Sequence, residues 1–222
     1  MQIPKKGMRR RPYWLRWACP FLLGQVPRRR RSEERSIYLT FDDGPTPGVT
    51  EEVLDVLDSH QVCATFFCVG KSAEQNPGLV RKIVDAGHRL GNHTHSHCNG
   101  WSVSSKTYLH EAHQCNQILE SIIGRSVDLF RPPYGKMRAM QWLALRHRWE
   151  CWMWDVSGHD FVESLSPNDI EQSVMEHVRP GSIILLHDSP LGAPRMLPAL
   201  PKILERLLGA GYRFECLPQR VG

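Results

Sequence analysis

Two clusters in this chain carry residue types that can do chemistry together. His93-Thr94-His95-Ser96-His97 places three imidazoles at alternate positions, and Asp42-Asp43 sets two adjacent carboxylates before the turn dipeptide Gly44-Pro45. One carboxylate with two imidazoles is a donor mixture suited to Zn²⁺ or a similar first-row dication. Three protein ligands leave positions for water and substrate, the pattern of a catalytic metal. Asp43, His93 and His97 are therefore the candidate ligands. Each cluster alone has a plainer reading, a surface loop for the histidines and an ordinary turn for Asp-Asp-Gly-Pro. Together they are more specific, because the turn can aim the two carboxylates at different targets, one at the metal and one at a bound water. His187 ends the apolar run Ile183-Ile184-Leu185-Leu186, where an unpaired imidazole is costly to bury. A nearby carboxylate would hold it protonated as a general acid.

The elements that must position these groups alternate in type. Residues 37–41, 64–69, 89–92, 129–131, 151–154, 182–187 and 212–216 read as strands, about seven in all. Helical segments lie between them. One begins at Thr50, a candidate N-cap with Glu51 and Glu52 in its first turn, and one spans 79–86 and stops at Gly87. A long helix follows Ser104, with Leu109, Ala112, Asn116, Leu119 and Ile123 on one stripe, and Ser166-Pro167 opens another. Alternation of this kind implies parallel pairing, and the continuous apolar run before His187 fits a strand covered on both faces. The expected fold is α/β, a distorted or partly open β/α barrel with about seven parallel strands. On that frame Asp42, Asp43, His93, His97, Arg131, Tyr134, Asp155, Asp160, His187 and Asp188 all fall at C-terminal strand ends. Those ends share one rim, where barrel active sites are built.

Charge is unevenly distributed. The formal net charge is +5, yet residues 1–36 hold eleven Lys or Arg against Glu33 and Glu34, so the rest of the chain is mildly acidic. Such a chain lacks the distributed basic face of a nucleic-acid binder. The organisation expected is a basic extension (1–35), one catalytic domain (36–217) and a short tail (218–222). The apolar stretch 13–23 is interrupted by Arg16 and Pro20 and is shorter than the roughly 20 residues a spanning helix needs. No small-residue cleavage pattern follows it. Packing of Trp14, Trp17 and Phe21 on the domain is preferred over contact with a membrane surface, and a cytoplasmic location over the cell envelope. The seven cysteines are read as buried reduced thiols, Cys63, Cys68, Cys151 and Cys216 among them. Cys98, beside His97, is the one cysteine close to the candidate chemistry.

Five ordered motifs resemble the polysaccharide deacetylases of carbohydrate esterase family four, the NodB-homology domain, over about residues 36–217. Thr40-Phe41-Asp42-Asp43-Gly44-Pro45 is similar to the family's first motif, which implies Asp42 as catalytic base and Asp43 as metal ligand. The histidine motif implies His93 and His97 as ligands, with no such role for His95. Arg131-Pro132-Pro133-Tyr134-Gly135 resembles the third motif, implying that Arg131 orients the base and that the Tyr134 N–H helps hold the oxyanion. Leu185-Leu186-His187 implies the general acid and an apolar contact for the acetyl methyl. The fourth motif departs: the family reads Asp-x-x-Asp-Trp where this chain has Ser157-Gly158-His159-Asp160-Phe161. Asp160 keeps the place of partner to His187, Phe161 and Trp154 become the candidate substrate walls, and Asp155 is a candidate substitute for the missing carboxylate.

The resemblance implies a metal-dependent hydrolase that removes N-acetyl groups from acetylated sugars, with one divalent ion, zinc first and cobalt, nickel or manganese as alternatives. Its partner is an N-acetylated carbohydrate, and no nucleic acid is expected. An acyl-enzyme route is disfavoured because no Ser or Cys in these motifs is paired with a base. Two other readings stay open at this level: hydrolysis of a small cyclic amide or ureide on the same barrel, and a catalytically silent carbohydrate-binding module.

Overall fold

The computed structural model describes residues 26, 28, 29 and 35–218. The stretch 13–23 and residues 219–222 lie outside the described residues. The elements run β1 (Ser36–Asp42), α1 (Val49–Ser59), β2 (Thr65–Cys68), α2 (Gly70–Gln75), α3 (Pro77–Asp85), β3 (Arg89–Asn92), α4 (Ser105–Ile123), β4 (Leu129–Phe130), α5 (Ala139–Leu145), β5 (Glu150–Cys151), β6 (Val156–Ser157), α6 (Pro167–His177), β7 (Ile183–His187), α7 (Ala193–Gly209) and β8 (Arg213–Phe214).

Seven strands curl into a partly open barrel in the order β5-β4-β3-β2-β1-β7-β6. All named pairings are parallel, and β8 joins the start of β1 through Ser36 and Ile37. The alternation of side chains along the strands divides the core in two. Leu39 and Phe41 of β1, Phe66 of β2, and Ile184 and Leu186 of β7 point outward beneath the helices. Tyr38, Phe67, Leu129 and Ile183 point inward, with Trp152 and Leu217, and fill the barrel. The apolar run of β7 is thus covered on both faces, as its composition requires.

The helix boundaries have local causes. Ser104 caps α4 by accepting from the Thr107 N–H, and Gly124 ends it in the left-handed region at φ 68°. Ser166 and Asp169 close a reciprocal cap on α6. The buried stripe of α4 is Tyr108, Ala112, Cys115, Asn116 and Leu119; Leu109 and Ile123 flank it and are only partly covered.

Three expectations need correction. Thr50 is not the N-cap of α1; Gly48 holds that place, and the Thr50 hydroxyl is used elsewhere. The 151–154 run pairs only through Glu150 and Cys151, and a separate short strand, β6, precedes Asp160. Cys63 and Cys216 are half-buried rather than buried. The basic extension also touches the domain before residue 36: Val26 is buried beside Tyr108 and Trp142, and Arg29 bridges to Ser182.

Candidate metal and catalytic centre

Strand register brings the polar groups to one level. Asp42 at the end of β1 lies directly beside His187 at the end of β7, and Asn92 at the end of β3 lies beside Cys68 and Phe130. The residues that follow those ends, Asp43, His93 and Arg131, therefore converge on one rim. Among the described residues, Asp43, His93 and His97 form the group able to hold a metal, with ligand atoms all within 4.8 Å of one another. Asp43 Oδ1 is 3.6 Å from His93 Nε2 and 3.1 Å from His97 Nε2. Ligands about 2.1 Å from a tetrahedral ion stand about 3.4 Å apart, so the trio fits a first-row dication. The His93 Nδ1–H donates to the Arg131 carbonyl at 2.8 Å, which leaves Nε2 as the coordinating nitrogen.

Electrostatics favours the same assignment. Burial lowers the His93 pKa to about 4, against the pull of Asp42 and Asp43, so the ring is neutral and able to ligate. Burial alone would raise the Asp43 carboxyl, but the hydrogen bond from His97 and the charges of His93, His187 and His97 hold it well below the usual carboxylate range.

Asp42 has a different environment. Its Oδ1 accepts from the fully buried Arg131 guanidinium at 2.7 Å, while Oδ2 lies 3.7 Å from His93 Nε2, turned toward the trio. Arg131 is itself fixed from every side. It donates to the Thr40 hydroxyl and to the carbonyls of Trp152 and Met153, and it stacks 4.1 Å above the Phe67 ring. Thr40 and Asp42 are two residues apart on the inward face of β1, so one guanidinium reaches both.

His187 sits across from Asp42. Its Nδ1 is 2.8 Å from Asp160 Oδ1, and its backbone N–H donates to Asp160 Oδ2 at 2.7 Å. Burial would lower the imidazole pKa, but the hydrogen bond and charge of fully buried Asp160 outweigh it and raise the value to about 9. Leu185, two residues back on β7, shares the inward face beneath His187. The Phe161 ring packs edge-on against His187 with centroids 5.4 Å apart. The exposed Tyr134 ring stacks 4.5 Å from His97, and Trp154 lies beside Arg131 and Gly135. Asp155 does not join the site. It accepts from the Ser182 hydroxyl and the Ile183 N–H at the start of β7, so it cannot replace the carboxylate absent at Ser157.

Among the described residues six non-glycine positions have positive φ, and five of them lie in these rim loops: Asp43 (81°), Thr94 (63°), His97 (55°), Tyr134 (59°) and His159 (59°). Each costs roughly 1–3 kcal/mol, and concentration at one rim is the pattern of a functional site.

The comparisons agree with this geometry. Residues 29–147 match the family described as Polysaccharide deacetylase. A peptidoglycan-N-acetylglucosamine deacetylase of Bacillus cereus is 37% identical over 82% of this chain and 66% of its own length, so the chain spans just under two thirds of that relative. A chitooligosaccharide deacetylase of Azorhizobium caulinodans is 33% identical over 89% of this chain and 99% of its own. The crystal structure of the Bc1960 peptidoglycan N-acetylglucosamine deacetylase superposes with a TM-score of 0.82 at 34% identity, covering 86% of this chain and 90% of that one. A CE4 family pseudoenzyme of Bacillus anthracis superposes at 0.78 with 27% identity, covering 86% of this chain and 66% of its own. The chain belongs to the polysaccharide deacetylase family. It is a hydrolase of the class that removes N-acetyl groups from polysaccharides, and the family is metal-dependent.

One residue of this deacetylase site went unassigned in the sequence. Asp188 is buried; its Oδ2 pairs with the Thr50 hydroxyl at 2.6 Å and its Oδ1 accepts from the Gly44 N–H at 3.1 Å. The Thr50 oxygen also accepts from the Thr46 N–H, so β7 and α1 together clamp the loop that carries Asp42 and Asp43. Burial and the charge of Asp43 raise the Asp188 carboxyl to about 8. A Cβ at position 44 would stand 2.0 Å from Asp188 Oδ2, a contact no side chain tolerates. Gly44→Ala is therefore expected to displace the loop and lower metal occupancy several-fold, read by metal analysis of folded protein. Unchanged occupancy would show that the clamp does not set the ligand geometry.

Proposed function

We propose that this protein deacetylates N-acetylglucosamine units within a glycan chain, with Asp42 as base, His187 as acid and Asp43, His93 and His97 holding one zinc ion. The observation that carries the assignment of roles is the placement of Asp42 and His187 as neighbours in register at the metal-ligand trio, each fixed by its own buried partner. The bound dication would supply Lewis-acid chemistry, polarising the acetamide carbonyl and acidifying water. Asp42 Oδ2 takes the proton of the attacking water while Arg131 keeps Oδ1 and sets the carboxylate plane. The Tyr134 N–H, presented by the strained 133–135 turn, stabilises the developing oxyanion. His187, held through Nδ1 by Asp160, which favours its protonated form, donates from Nε2 to the departing sugar nitrogen. Acetate and a free amino sugar result.

The walls favour a chain-like substrate over a small cyclic amide. Tyr134 and Phe161, packed on His97 and His187, are 59% and 43% exposed, an open aromatic rim on which sugar faces can stack rather than a closed pocket. Both the relative acting on peptidoglycan and those acting on chitooligosaccharides support this class. Acetate release from peptidoglycan compared with chitooligosaccharides of increasing length separates the two. Activity confined to small cyclic amides would overturn the proposal.

Purified protein is expected to hold about one divalent ion per chain, to lose turnover on exhaustive chelation and to regain it with Zn²⁺ or Co²⁺. Full turnover in metal-free protein would remove the trio from the mechanism.

A further inference from the structure

At the end of the barrel opposite the catalytic rim, two half-buried cysteines meet. Cys63 lies just before β2 and Cys216 just after β8. The two thiols lie close enough to perturb each other's titration. Each sulfur also reaches the other's segment: Cys63 Sγ contacts the Phe214 carbonyl at 3.6 Å and Cys216 Sγ the Ala64 carbonyl at 3.1 Å. The backbones are tied at the same level, since the Leu217 N–H donates to the Thr65 hydroxyl at 3.0 Å. The pair is thus held in place by the fold on both sides while remaining open to solvent.

We propose that Cys63 and Cys216 are a dithiol site that a low-molecular-weight disulfide converts to an intramolecular disulfide, stapling the C-terminal segment to the entry of β2. Cys63 attacks one sulfur of oxidised glutathione, breaking its S–S bond and releasing one glutathione thiol. Cys216 then attacks the Cys63 sulfur of the mixed disulfide, forming the protein S–S bond and releasing the second glutathione. The two protons of the protein thiols leave on the two glutathiones, so two protein thiols are oxidised and one disulfide is reduced.

The other described cysteines are poor competitors. Burial pushes Cys115 and Cys151 up to about 12 and removes them from solvent, and Cys98 is pushed up to about 11. Cys63 alone is lowered, to about 7, by the neighbouring Cys216 side chain working against burial and Glu215. Thiolate character and access select the attacking sulfur. The new bond would close a long loop in the unfolded chain, the condition under which a cross-link stabilises most.

The test takes the reduced full-length protein, equilibrates it with oxidised glutathione, blocks free thiols and maps peptides without reduction. A Cys63–Cys216 linked peptide and a higher Tm, reversed by dithiothreitol, are expected. Cys216→Ser should instead trap glutathione on Cys63, and Cys63→Ser with Cys216→Ser should show no rise in Tm. Mixed disulfides without the linked peptide in the wild-type protein, or cross-links confined to other cysteines, would overturn the proposal whatever the variants do.

Discussion

Asp42→Asn is expected to keep its metal and lower kcat by roughly two to four orders of magnitude, while Asp43→Ala loses the metal itself. The two residues are adjacent, yet their surroundings assign them to different steps. Asp43 Oδ1 stands within 3.6 Å of both ligand nitrogens, so removing it leaves two imidazoles and a site too poor to retain a dication. Asp42 contributes no ligand in this arrangement, and its loss removes a positioned general base, with a contribution of that size. Asparagine is the informative replacement because Arg131 is fully buried. Alanine would remove both the counter-charge and one acceptor of the guanidinium, whereas the asparagine amide oxygen loses only the charge and can still accept from Nη1. Metal content and single-substrate kinetics on both folded variants decide the matter. Loss of metal in Asp42→Asn with retention in Asp43→Ala would reverse the roles, and full activity in both would reduce the pair to a turn.

The chemistry of this site was legible because its residues are of types that rarely gather by chance, at the ends of strands whose apolar runs are long. Ile183-Ile184-Leu185-Leu186 announces a doubly covered strand, and whatever follows it must lie on the rim. The short elements carry no such signal. Val156–Ser157 has two residues and no period to detect, α2 opens with Gly70-Lys71-Ser72, and the 151–154 run looks like a strand although Trp152 and Met153 serve Arg131 through their carbonyls. Strand-end position alone does not separate Asp155 from Asp160; the motif resemblance is what pairs Asp160 with His187. One extra short strand between them sends Asp155 to the β7 entry and Asp160 to the rim. Asp188 and Thr50 were likewise hidden, since their contact joins residues 138 apart and depends on a glycine whose importance shows only when a Cβ is placed there. The Cys63–Cys216 pair is the same kind of fact, two thiols distant in sequence that β8 brings together.

His187→Ala is expected to retain metal and lose roughly two to four orders of magnitude in kcat, with Asp160→Asn milder and diagnostic through pH. In the protein alone the His187 pKa is raised to about 9, burial being outweighed by the Asp160 hydrogen bond and charge, with Asp43 and Asp42 adding to them. A dication at Asp43 cancels the contribution of that carboxylate and repels the imidazolium, so the loaded enzyme's value lies lower. What survives is the contribution of Asp160. An acid works only while protonated, so activity should fall as pH rises through the His187 value, giving the alkaline limb of the profile. Asp160→Asn removes the charge but not the shape: its amide oxygen can still accept from the His187 N–H, and its NH₂ can donate to Nδ1. That arrangement favours the neutral ring, and with only the weaker pull of Asp42 left against burial the alkaline limb should move to lower pH by roughly one to three units. In His187→Ala the same limb should disappear. An alkaline limb that stays in place in both variants would assign it to another group and remove His187 from the proton transfer.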